Sequence, residues 1–141
     1  MSNILICGAI EGFNDPFPWQ EDLETHELLG RHNYTNPYHI GEDVDNPYRN
    51  PDAVIQPVID LIESEIDGVL VHWRDNASLV GAVVYMREAH RQGKPITIWY
   101  DGKRKNMQIP LSWMMNSYHS DMETAARVLL ALLGHKEVLV H

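Results

Sequence analysis

The chain has 141 residues, 44% hydrophobic and 22% charged, with a formal net charge of -9. That length and balance suit one domain with a buried core, and the acidity excludes a general nucleic-acid binder, which needs a basic face to displace counterions from phosphate. One cysteine, Cys7, excludes an internal disulfide, and no apolar stretch reaches the roughly 18 to 20 residues of a membrane span.

Ile4-Leu5-Ile6-Cys7 is a short apolar run closed by Gly8 and predicts a first, interior strand. No basic-then-apolar segment marks a signal peptide, so the expectation is a cytoplasmic protein with no membrane partner. The turn Gly8-Ala9-Ile10-Glu11-Gly12 is built of small residues, which either let a ligand approach the backbone or simply make a tight turn. A helix is expected from about Trp19 to Gly30, with Leu23, Leu28 and Leu29 on its apolar side.

Residues 31–52 carry three Asn-Pro pairs, at 36–37, 46–47 and 50–51, which forbid a long helix. A short strand through His32 to Thr35 is compatible with them. Tyr34, Tyr38 and Tyr48 in this stretch stack on a planar ligand, pack at a subunit interface or pin the loop. Pro51 to Glu65 reads as a helix, with Val54, Ile55, Val58, Ile59 and Ile62 at helical spacing and Pro57 having to kink or begin it.

Ile66 to Trp73 predicts a buried strand, Leu79 to Gln92 a helix capped by Ser78, and Pro95 to Tyr100 the next strand. Pro110 to Asn116 is a short helix or packed loop. Asp121 to Leu133 is a final amphipathic helix, and His135 to His141 an edge strand or tail. The alternation predicts an α/β fold: a three-layer α/β/α sandwich around a mainly parallel, doubly wound, flavodoxin- or Rossmann-like sheet, one domain over residues 1–141. Ligands of such sheets bind beyond the carboxyl ends of the strands. His26 and His32 belong to no metal-binding spacing, and no metal or cofactor is expected.

The segments Leu5 to Gly12, Asp60 with Ile66 to Val71, Ser78-Leu79 with Gly81 and Gly93-Lys94-Pro95, and Pro110 to Trp113 together resemble the nucleoside 2-deoxyribosyltransferase superfamily, which includes the 2'-deoxynucleoside 5'-phosphate N-hydrolases. The resemblance implies a nucleoside or nucleotide as the small-molecule partner, and a homodimer or higher homo-oligomer. It implies cleavage of an N-glycosidic bond or deoxyribosyl transfer, in which a carboxylate attacks the anomeric carbon and a second carboxylate helps the base depart.

At the position implied for the attacking glutamate this chain has Tyr85. Three alternatives follow: Tyr85 attacks, Glu88 one turn on takes the role, or the site binds without catalysis. Asp60 is the implied acid. Gly8, Ala9, Ile10, Gly12, Gly81 and, across a dimer, Asn116 are the implied substrate contacts, while Asp75 either bonds a sugar hydroxyl or shapes the turn and Ser78 either donates to a phosphate or caps its helix.

Overall fold

The computed structural model describes residues 1–11, 15–39, 51–75, 77, 79–102 and 109–139; Gly12, Tyr48 and Ser78 lie outside them. Within these residues five strands form one all-parallel sheet: β1 (Asn3–Gly8), β2 (Asn33–Thr35), β3 (Gly68–His72), β4 (Ile96–Trp99) and β5 (Ser117–His119). Their order is β2-β1-β3-β4-β5. The helices are α1 (Gln20–Thr25), α2 (Pro51–Ser64), α3 (Val80–Arg91), α4 (Ile109–Met114) and α5 (Met122–Leu132). This is the expected three-layer, Rossmann-like α/β fold. Among the described residues no helix is long and apolar enough to cross a membrane.

Strand side chains alternate between the two faces, and both faces are covered, so the strands are apolar almost throughout. Leu5, Cys7, Val69, Val71, Ile96 and Ile98 share one core with Val58 and Ile62 of α2 and Ala82, Met86 and Ala89 of α3. Ile4, Ile6 and Leu70 share the other with Leu23 of α1 and Ala125, Ala126, Leu129 and Leu130 of α5. The buried positions recur at three- and four-residue spacing on α3 and α5, as an amphipathic helix requires. Two buried polar residues lie on the described strands, His72 and Thr97, and the Thr97 hydroxyl is satisfied: it donates to the Ala125 carbonyl at 2.9 Å.

The structure departs from expectation in two places, the end of the first helix and an added strand. The helix from Trp19 to Gly30 stops at Thr25, because His26 Nδ1 accepts the N–H groups of Leu28 and Leu29 at 3.1 and 3.2 Å and turns the chain into a 3-10 segment, Leu29–Arg31. The helix α3 begins at Val80 with Leu79 in the cap position, and the cap expected of Ser78 lies outside the described residues. Of the two expectations for the last residues, the described ones form no edge strand: Lys136–Leu139 is a 3-10 turn, because Val138 buries itself against the core beside α5. The strand β5 is an addition. It is docked by Asn116, whose Oδ1 accepts the Ile96 N–H at 2.8 Å and whose own N–H donates to the Ile96 carbonyl at 2.7 Å. Pro57 does not begin α2, which starts at Pro51, and lies inside it; the buried Val58 and Ile62 hold the helix through that position.

Candidate functional site

The chain leaves β1 toward β2 on one side and returns through β3 toward β4 and β5 on the other. The order therefore reverses between β1 and β3, and the crevice beyond their carboxyl ends is the favoured binding place in an open α/β sheet. Gly8 closes β1 with φ +123°, and a Cβ there would stand 2.1 Å from the His72 carbonyl oxygen. Ala9 then donates its N–H to that same oxygen at 2.8 Å. The glycine turn is thus pressed against the end of β3, Ala9 is buried, and Ile10 is exposed on the rim.

Tyr85 lies about 7 Å along α3 from its first residue, using the helical rise. It is 8% exposed and belongs to the same buried cluster as Cys7 and Ala9. Burial pushes the Tyr85 phenol up to about 12, with Tyr38 and Cys7 adding to the effect. At pH 7 only about one molecule in 10⁵ would carry the phenolate. Burial also drives the Cys7 thiol up to about 12, which makes it an inert core residue.

The other implied residues spread out. Glu88 lies about 12 Å along α3; its carboxylate takes 2.5 Å and 2.8 Å hydrogen bonds from Arg91 and Gln92, which hold it below the usual carboxylate range. Asp60 lies roughly 13 Å along α2 from the carboxyl-end start of that helix, exposed and bonded to Gln56 of the same helix at 2.8 Å. Gly81 is in the first turn of α3, exposed, with open space where a Cβ would stand. Asn116 is at the opposite, amino end of the sheet, on the rim of a groove of about 500 Å³ lined also by His90, Lys94, Trp113 and Leu132. Gly12 and Ser78 fall outside the described residues.

Asp75 stays at the crevice. The buried Tyr100, one residue past β4, donates its hydroxyl to Asp75 Oδ1 at 2.9 Å. Gly102 roofs that tyrosine: a Cβ at 102 would come within 2.3 Å of the phenol oxygen. A carboxylate in the loop after β3 is therefore held by a side chain from the end of the next strand.

On the other face of the same edge is a ring cluster that the linear pattern did not single out. His72 and Trp99 are register partners on β3 and β4, and their rings stack at 3.7 Å and 12°. Trp19 meets both edge-on, at 6.1 and 5.7 Å. Among the described residues, His72 Nδ1 and Trp19 Nε1 are buried and find no hydrogen-bond partner. Glu11 of the glycine turn brings Oε1 to 3.9 Å from His72 Nδ1, too far for a hydrogen bond. Burial drives His72 down to about 4, Arg74 beside it adds to the effect, and Asp101 opposes it. The available signal in the sequence was a lone histidine at the carboxyl end of an otherwise apolar strand.

A histidine whose folded pKa is depressed contributes stability above its unfolded value and loses it as pH falls. The unfolded reference is 6.5 and the folded value of His72 is about 4. Unfolding free energy is therefore expected to fall between pH 6.5 and 4, with a slope from this group approaching about 1.4 kcal/mol per pH unit. The His72→Gln variant should lose that part of the slope in urea titrations at stepped pH; an unchanged slope would refute the neutral buried imidazole. His32, also held down by burial and by His135, adds in the same direction.

At the amino end, His32, His135 and Glu137 each place a donor atom within 4.8 Å of the others. His32 Nδ1 already accepts the Ser2 N–H at 3.0 Å, which leaves the ring proton of the neutral imidazole on Nε2. Neither nitrogen then offers a free lone pair, and the group acts as a clamp on the first strand. No protein-family model matches the chain, and no curated protein matches it.

Proposed function

We propose that this chain binds a nucleoside or nucleotide at the carboxyl ends of β1 and β3, on a deoxyribosyltransferase-like scaffold. The observation that carries the reading is the glycine turn pressed on the end of β3 at the point where strand order reverses, beside buried ring nitrogens that lack partners. Binding is favoured over cleavage because the tyrosine at the implied nucleophile position is hard to ionise and Glu88 is engaged by Arg91. Association into a homodimer or higher homo-oligomer belongs to the same proposal, since the resemblance implies it.

A cleaving enzyme is the second reading, and Asp75 favours it: a carboxylate fixed by Tyr100 at this edge is chemically suited to attack or to steer an anomeric carbon. The test is a thermal-shift screen with deoxynucleosides and their 5'-monophosphates, followed by chromatography for released or exchanged base. Binding should raise the melting temperature in proportion to the logarithm of ligand concentration. No shift with any of them would remove the proposal. Where turnover is found, Tyr85→Phe and Glu88→Gln are expected to keep it within about threefold; a loss of 10²-fold or more in either, with binding intact, would make that residue catalytic.

A further inference from the structure

Two histidines touch at the amino end of the sheet. His32, just before β2, and His135, in the turn after α5, bring their ring centroids to 4.4 Å at 63°. Both hold the buried Ser2, just before β1: His32 Nδ1 accepts its N–H at 3.0 Å, and His135 Nε2 lies 2.7 Å from its hydroxyl oxygen. The three residues thereby tie the turn Lys136–Leu139 to the start of the sheet. That turn has a few other holds. The His135 N–H donates to the Leu130 carbonyl at 2.9 Å, Arg127 donates to the Val138 carbonyl, and Val138 is buried in the core beside α5. The strand β1 is held without a histidine: its Asn3 N–H donates to Asp67 Oδ2 at 2.8 Å, and it pairs with β2 and β3.

Among the described residues, the charges that face this pair are the chain's amino group and Arg31 on the basic side and Glu137 on the acidic side; Lys136 adjoins His135 in sequence. Glu137 Oε1 lies 3.7 Å from His135 Nδ1. A first proton therefore belongs on His135, where the imidazolium meets a carboxylate and still donates to the Ser2 hydroxyl. A second proton falls on His32 Nδ1, the atom that accepts the Ser2 N–H. Donor then faces donor, and two imidazolium rings stand side by side. Burial first, and then His135, hold His32 below its ordinary 6.5. Its bond to Ser2 is thus fully present above that value and is lost as pH falls through the lower, folded one. We propose that Ser2, His32 and His135 form an acid-released clasp, in which the second proton frees the turn Lys136–Leu139 while the sheet stays folded. The clasp sits at the end of the sheet opposite the crevice and is independent of the nucleoside reading.

The experiment follows the isotope-labelled whole chain by NMR from about pH 7.5 to about pH 4, reading the histidine ring protons and the backbone order parameters. His135 is expected to titrate first and His32 after it. With the His32 step, the order parameters of residues 136–139 are expected to drop from about 0.85 to below about 0.6, while those of β3 and α5 hold. His32→Gln offers Ser2 a carbonyl acceptor that takes no proton, and the turn is expected to stay ordered through the whole range. His135→Gln removes the neighbouring charge, so His32 is expected to titrate at higher pH than in the unaltered chain; this arm reads the coupling where His32→Gln does not fold. A turn that stays ordered after His32 has titrated overturns the proposal. So does a turn that loosens equally in His32→Gln, a His32 titration unmoved by His135→Gln, or a His32 that takes no proton before the whole sheet unfolds.

Discussion

Gly8→Ala is expected to destabilise the protein by about 3 kcal/mol or more, among the larger effects a single methyl can have. The added carbon would stand 2.1 Å from the His72 carbonyl oxygen and within 2.8 Å of that residue's backbone nitrogen and carbon. Those are ladder atoms of β3, not the end of a flexible side chain, so β1 and β3 would have to part. The φ of +123° adds strain for any L side chain. Because Ala9 N–H bonds to the same oxygen, the substitution also disturbs the turn that shapes the crevice. Urea denaturation checks this, with Gly81→Ala as the contrast. Gly81 is helical with open space around it, and alanine there should be neutral or stabilising by about 0.5 to 1 kcal/mol. Equal stabilities for the two variants would refute the close approach of β1 to β3.

The second large effect is expected at Tyr85. Tyr85→Ala should cost about 3 kcal/mol or more, because it empties a buried aromatic volume between α3 and the sheet. Tyr85→Phe keeps the ring and should cost less than about 1.5 kcal/mol. Denaturation of both variants gives the ratio directly. A costly Phe variant would mean that the hydroxyl has a partner worth keeping; a cheap Ala variant would mean that the ring is not part of the core. The pattern expected here is that of a packing residue at the edge of a site, with its phenol protonated at every physiological pH.

These expectations change what the resemblance alone suggests. The implied constellation is Tyr85, Glu88, Asp60 and a set of loop contacts. Helical rise separates three of them: α3 carries Glu88 down to its pairing with Arg91, and α2 carries Asp60 toward the amino end of the sheet. Asn116 is docked on β4 at that same end and has no path to the crevice within one chain. What collects at the carboxyl edge is Gly8, Ala9, Glu11, His72, Asp75, Tyr85, Trp99 and Tyr100, drawn from β1, β3, α3, β4 and the turns between them.

Much of the fold was legible in the residues because it rests on local chemistry. Apolar runs bounded by glycine marked β1, β3 and β4, and stripes at three- and four-residue spacing marked α2, α3 and α5. Where the reading failed, a side chain overrode propensity. His26 Nδ1 bonding two backbone N–H groups ended α1, and Asn116 pairing with Ile96 made β5 from three residues too short to show alternation. Such bonds depend on where a chain has already been brought, so composition does not announce them.

The amino-acid order by itself determined the layered parallel sheet and the small-residue turn at the carboxyl end of its first strand, since both follow from periodicity and from glycine's missing side chain. Only the tertiary structure decided which groups face one another there. Strand register stacked His72 on Trp99, and the end of β4 brought Tyr100 to Asp75. Both contacts join residues more than twenty positions apart, and their distances arise only when the sheet closes.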